Sequence, residues 1–169
     1  HAGHFQVGQH QVVGAGLQRL NRFQAVGGDI NGRVGRGQVY AGELAQDRVI
    51  VHEQTSARIL TDAHIPEPID IIVCDASFIG LAKVLERPLT FAAPGALLVA
   101  LIKPQFEAGR ADVGKGGVVR DPTVHERVCE EVRGWLAARP GWGVIGITPS
   151  PITGPEGNIE FLIAGQHRI

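Results

Sequence analysis

Methionine is missing from all 169 residues, and we read that absence as a sign of an incomplete or altered N-terminal part. Cysteine is scarce. Cys74 and Cys129 cannot build a disulfide scaffold, which excludes the disulfide-rich secreted class and points to a reducing, cytoplasmic setting. Charge excess is missing as well. A net charge of -1 and an isoelectric point near 6.7 provide no global field for nucleic acid or anionic lipid, so any RNA contact needs a local patch. No apolar run approaches the roughly 18 residues that a spanning helix requires. The opening HAGHFQVGQH lacks an apolar core behind positive charge, so it does not read as a secretory signal.

What is present changes character near residue 55. Residues 1–54 hold eight of the ten Gln, ten Gly, and neither Lys nor Pro. All three Lys (Lys83, Lys103, Lys115) and all ten Pro come later. The early stretch (VVGAGL, RFQAV, GGDINGRVGRGQVY) reads as short strands and turns or as partly disordered chain, because each Gly in a helix costs nearly ~1 kcal/mol. We expect residues 1–47 to be an atypical or incomplete N-terminal part of the fold and residues 48–169 to be its C-terminal half.

From residue 48 the alternation is clear. RVIV (48–51) reads as a short buried strand. IDIIVCD (69–75) and ALLVALIK (96–103) are continuous apolar runs of the kind covered on both faces of a sheet. GLAKVLERPL (80–89) reads as a helix, and Pro94-Gly95 as a turn. Asp121-Pro122 supplies a helix cap and first residue, after which Val124, Val128, Val132 and Trp135 fall on one stripe. Pro140-Gly141 ends that helix. WGVIGI (142–147) and IEFLIAG (159–165) are the last strands. This alternation predicts an α/β fold: a Rossmann-like sheet, mostly parallel, with an antiparallel terminal strand.

Ligands of such sheets sit at the carboxyl ends of the strands. Asp75 ends one strand and Lys103 the next. Glu160 starts the last strand, and joins them at the same edge if that strand runs antiparallel. A structural ion pair closing the sheet is the plain alternative. Three charged groups at three strand ends favour chemistry, since a lysine held between carboxylates can orient or deprotonate a hydroxyl. The stretch KPQFEAGRADVGKGGVVRD (103–121) carries Arg110, Lys115 and Arg120 with four Gly, and GKGG can offer amides and a cation to phosphate. It is not a Walker loop, and a flexible surface loop is the alternative. SPITGPEGN (150–158) is either a rigid connector or a shaped loop beside Glu160. GGDINGRVGRG (27–37) has no GxGxxG. The seven His are scattered, with no zinc spacing, so no metal site is expected. Cys74 reads as a small buried residue, and Ser77 lacks a nucleophile elbow.

The segments VCDASFI, LVALIKPQFEAGRADVGKGGVVRDPTVHERV and SPITGPEGNIEFL resemble the TlyA/hemolysin A family. Its members are FtsJ-like, S-adenosylmethionine-dependent ribosomal RNA 2′-O-methyltransferases. The likeness runs from about residue 48 to 165 and extends loosely to VGRGQV (34–39). It implies a Rossmann-like methyltransferase fold and ribosomal RNA or ribosomal subunits as partners. It also implies catalytic roles for Asp75, Lys103 and Glu160, which match the last three members of a Lys-Asp-Lys-Glu set. Arg110, Lys115 and Arg120 become phosphate contacts by the same likeness. Glu53, in VHEQTSAR, and Asp75 become cofactor-binding residues. Some family features have no counterpart: no Lys precedes Lys83, no DxGxSxGGF loop is visible, Arg33 stands where relatives place an acid, and the small N-terminal RNA-binding domain is not seen. The alternative is therefore an inactive remnant that binds RNA without cofactor turnover. A membrane-active hemolysin is disfavoured, because no amphipathic basic helix is present.

Overall fold

The computed structural model describes residues 54–169 and His52 in full, and five earlier strands by backbone alone. These five are β1 (Phe5–Val7), β2 (His10–Val12), β3 (Arg22–Gly27), β4 (Gln38–Glu43) and β5 (Arg48–His52). β1 and β2 form a separate antiparallel pair. The others join β6 (Ile69–Asp75), β7 (Ala92–Ile102), β8 (Trp142–Pro149) and β9 (Phe161–His167) in one seven-stranded sheet. Its order is β5-β4-β3-β6-β7-β9-β8.

β3 lies parallel to β6 and β6 parallel to β7, while β9 runs antiparallel between β7 and β8. Among the described strands, β3, β5, β6, β7 and β8 therefore point one way and β4 and β9 the other. This is the mostly parallel sheet with an antiparallel terminal strand that the apolar runs predict. The order reverses beside β3 and β6, where the chain leaves toward β4 and returns, and in such sheets ligands sit outside the carboxyl ends at that point.

The runs become strands because their apolar residues are covered. Ile72, Leu98 and Ile102 are fully buried. They pack with Val128 and Leu136 of α3 (Pro122–Ala137), whose cap is Asp121 accepting from the Thr123 amide at 2.8 Å. Trp135 stays half-buried at the edge of the predicted stripe, and Leu136 takes the fully buried place. α3 approaches β9 closely at Gly165, where a Cβ would lie 2.9 Å from Leu136 Cδ2.

Three local expectations shift. The predicted helix over 80–89 is only α1 (Leu81–Leu85), because Pro88 restarts the chain as a 3-10 turn over Pro88–Phe91. Pro94-Gly95 does not separate two elements. It bulges inside β7, where the partners jump from Ile69↔Ala92 to Ile71↔Leu97 and Gly95 takes φ +85°. The last strand starts at Phe161 rather than 159, after the Asn158–Glu160 segment has finished its loop contacts.

Candidate active site

β6 and β7 are parallel neighbours, so the residues that end them emerge together. Asp75 closes β6 opposite Gly27 of β3, and Lys103 follows Ile102 at the end of β7. The antiparallel register Ile102↔Phe161 puts Glu160 beside Lys103 at that same edge. Lys103 Nζ lies 2.5 Å from Asp75 Oδ1, with side-chain exposures of 11% and 38%. The pair is thus sealed on the lysine side and open on the aspartate side. Nζ also donates to Ser77 Oγ at 3.3 Å.

Glu160 is buried, and its Oε1 accepts from Gln105 Nε2 at 3.3 Å. Burial raises its carboxyl above the ordinary glutamate value; Lys103 and the Gln105 hydrogen bond pull it back, and Asp75 pushes it further up. Gly154 presses on this carboxylate so closely that any Cβ would overlap it. Three predicted catalytic groups are therefore brought together.

α2 (Pro104–Glu107) is a single turn that continues from Lys103, with Pro104 fixing its first residue. Glu107 Oε1 accepts from the buried Leu81 amide at 2.7 Å. Burial raises its carboxyl, against the Leu81 hydrogen bond and Lys83. Phe106 packs on Phe78 with ring centres 4.9 Å apart. Phe78 is 61% exposed and holds φ +63°, a conformation that bulky residues rarely adopt.

The glycine stretch is ordered by named bonds. The Gly114 amide donates to Val118 O at 3.0 Å, and Gly116 and Gly117 take φ +81° and +76°, which only glycine accepts freely. Asn158, buried, clamps this turn to the loop before Glu160. Its Oδ1 accepts from the Val119 amide, and its Nδ2 donates to Gly117 O and Pro155 O, all at 3.1 Å. His125 Nε2–H donates to Val119 O at 3.0 Å, so both polar groups of Val119 are met. Arg127 ties the Arg110–Asp112 turn to α3 through Asp112 at 2.6 Å. Arg110, Lys115 and Arg120 are all exposed on this braced segment.

Cys74 is buried and its thiol is pushed up to about 12, mainly by burial, so it is no nucleophile. Among the described residues no cluster of His, Cys, Asp and Glu could hold a metal. No helix among them is long and apolar enough to cross a membrane. Glu53, Arg33 and the 27–37 segment outside the strands lie outside the described residues. Sequence reasoning weighed Ser77 only as a nucleophile and missed Gln105, Glu107 and Asn158. The runs KPQFE and SPITGPEGN contain or adjoin them, but only the fold shows what each one faces.

The FtsJ-like methyltransferase family model matches residues 12–167. The chain is 44% identical over 131 residues to the 16S/23S rRNA (cytidine-2′-O)-methyltransferase TlyA of Mycobacterium tuberculosis, covering 77% of this chain and 48% of that protein. It is 36% identical over 132 residues to Hemolysin A of Brachyspira hyodysenteriae, covering 76% and 54%. A solved Lactococcus lactis structure that carries a hemolysin name superposes with a TM-score of 0.67 at 39% identity, over 73% of this chain and 59% of that one. The chain spans about half the length of the curated relatives it matches. Sheet order, strand-end residues and a match over most of the sequence agree, and the chain belongs to the FtsJ-like methyltransferase family.

Proposed function

We propose that this chain methylates ribose 2′-hydroxyls of ribosomal RNA, using S-adenosylmethionine as methyl donor, with Asp75, Lys103 and Glu160 as catalytic residues. One observation carries the reading: Lys103 Nζ is held by Asp75 at 2.5 Å beside the buried Glu160, at the strand edge where ligands of such sheets sit. The donor set also suits the cofactor. Asp75 is a partly exposed carboxylate at the carboxyl end of β6, beside β3, and its negative charge suits a ligand that carries cationic groups. Asp75, and by resemblance Glu53, would hold it. When bound, S-adenosylmethionine supplies an electrophilic methyl on a sulfonium.

The chain's own residues do the rest. An ammonium has three N–H bonds; Asp75 and Ser77 take two from Lys103, leaving the third for a ribose hydroxyl oxygen. That bond aims the oxygen for in-line attack, and the hydroxyl proton released on methylation passes to the Asp75 carboxylate beside Nζ. Fixing two reactants in line is a large share of such catalysis. Glu160 adds a carboxylate at the same strand edge, fixed by Gln105 and Gly154. Arg110, Lys115 and Arg120 offer cations to phosphate from a segment that Asn158 and Arg127 hold rigid. The exposed Phe78 ring offers a face on which a base can stack. Ribosomal RNA or subunits as partner, and a cytoplasmic setting, follow from this reading.

The test is isothermal titration with S-adenosylmethionine, followed by methyl transfer to ribosomal subunits. Binding and transfer support the proposal. RNA binding without cofactor binding would favour the remnant that lacks turnover.

A further inference from the structure

The turn after Lys103 and the loop after Asp75 touch at three successive points. Lys103 meets Asp75 and Ser77, Phe106 meets Phe78, and Glu107 meets Gly80 and Leu81. The third point closes the series. Leu81 is buried, so its amide needs a partner. Gly80, which precedes α1, has no side chain to cap it. Glu107 Oε1 supplies that partner from 26 residues away, at 2.7 Å. Its Oε2 lies against Gly80, where a Cβ would come within 2.8 Å.

We infer that Glu107 is a positioning residue: by anchoring Gly80 and Leu81, it holds the Asp75–Gly80 loop so that Ser77 reaches Lys103 Nζ and the Phe78 ring stays on Phe106. The inference rests on the reading of Lys103 as the group that orients the hydroxyl. Between Asp75 and Leu81 the loop is also held at Ala76, which is buried, and at Ile79, which packs on the core. Phe78 holds a left-handed backbone that must be imposed from outside, and the Phe106 ring on one side and the Glu107 anchor on the other add to the core packing of Ala76 and Ile79 in imposing it. Released at Gly80, the loop can relax φ at Phe78, and Ser77 moves with it. Glutamine keeps an acceptor oxygen for the Leu81 amide, so Glu107→Gln preserves the anchor. Alanine does not.

The test uses the full chain labelled at lysine. Only Lys83, Lys103 and Lys115 give signals. Lys83 lies close enough to Glu107 to feel its charge, so Lys115 serves as the reference. In Glu107→Ala the Lys103 side-chain resonance moves at fixed pH and the Leu81 amide exchanges faster. Both return in Glu107→Gln. Methyl transfer falls about tenfold or more in kcat, with the KM for S-adenosylmethionine within about twofold, as loss of placement rather than of binding predicts. Gly80→Ala, whose methyl displaces the carboxylate, reproduces the effect in the wild-type background. It adds nothing on top of Glu107→Ala, because the clash is gone. An unmoved Lys103 resonance in Glu107→Ala, or a Gly80→Ala effect that adds in full, would overturn the inference. Absence of transfer by the wild type sinks the functional reading instead, while the resonance and the cycle still decide the role of Glu107.

Discussion

Replacing Asn158 with alanine removes three hydrogen bonds at once, and their surroundings set the cost. The Val119 amide is buried, with its residue 2% exposed, and loses its acceptor outright. An unmet buried donor costs about 1–3 kcal/mol. Gly117 and Pro155 are exposed, so water replaces the amide donor at their carbonyls and these two add little. Rotamer freedom regained by losing the side chain offsets a fraction of the total. The net expectation is about 2 kcal/mol of stability. At this chain length that lowers the melting temperature by about 4–8 °C. Calorimetry gives the shift, and hydrogen exchange at the Val119 amide localises it. Asn158→Asp should cost more than alanine, since a carboxylate would then face the Gly117 and Pro155 carbonyl oxygens. A loss below about 0.5 kcal/mol, with Val119 exchange unchanged, would refute the clamp.

Leu136 is fully buried between α3 and the sheet, so Leu136→Ala should cost about 2–5 kcal/mol by urea unfolding; a loss under about 1 kcal/mol would show that the contact with β9 is loose. Burial raises Glu160 and Glu107 above the ordinary glutamate value of 4.5, so just above that value the folded chain holds more protons than the unfolded one. Their contribution to stability therefore falls as pH rises through that window. The wild-type curve minus that of Glu107→Gln or Glu160→Gln should slope downward there, and a flat or rising difference contradicts the assigned burial. Neutralising Arg110, Lys115 and Arg120 together should lower the slope of log affinity for RNA against log salt by about 2–3, at roughly 0.7–0.9 per phosphate contact; an unchanged slope removes them from the interface.

The central strands were legible because covered strands demand uninterrupted apolar runs, and IDIIVCD became β6 residue for residue. Asp121-Pro122 marked the start of α3 for a local reason: the carboxylate caps the turn that the proline begins. Asp75, Lys103 and Glu160 were legible as a set because strand ends are read from the same runs, and the antiparallel last strand does the joining. What stayed hidden depends on contacts far apart in sequence. Nothing local says that Glu107 reaches the Leu81 amide or that Asn158 faces Val119, 39 residues away. Ser77 was weighed only as a nucleophile, whereas its hydroxyl accepts from Lys103. The Pro94-Gly95 turn was real as local chemistry, but sheet pairing on either side absorbed it as a bulge.

The most direct measurement is transfer of labelled methyl from S-adenosylmethionine to ribosomal RNA by the wild type and by Lys103→Ala, with alkaline-resistant positions marking methylated 2′-oxygens. The placement of Lys103 predicts transfer to ribose by the wild type and a loss of about 10²-fold or more in the variant, as expected when the group that aims the attacking oxygen is removed. Transfer that survives Lys103→Ala undiminished, or that lands on a base rather than a ribose oxygen, would contradict it.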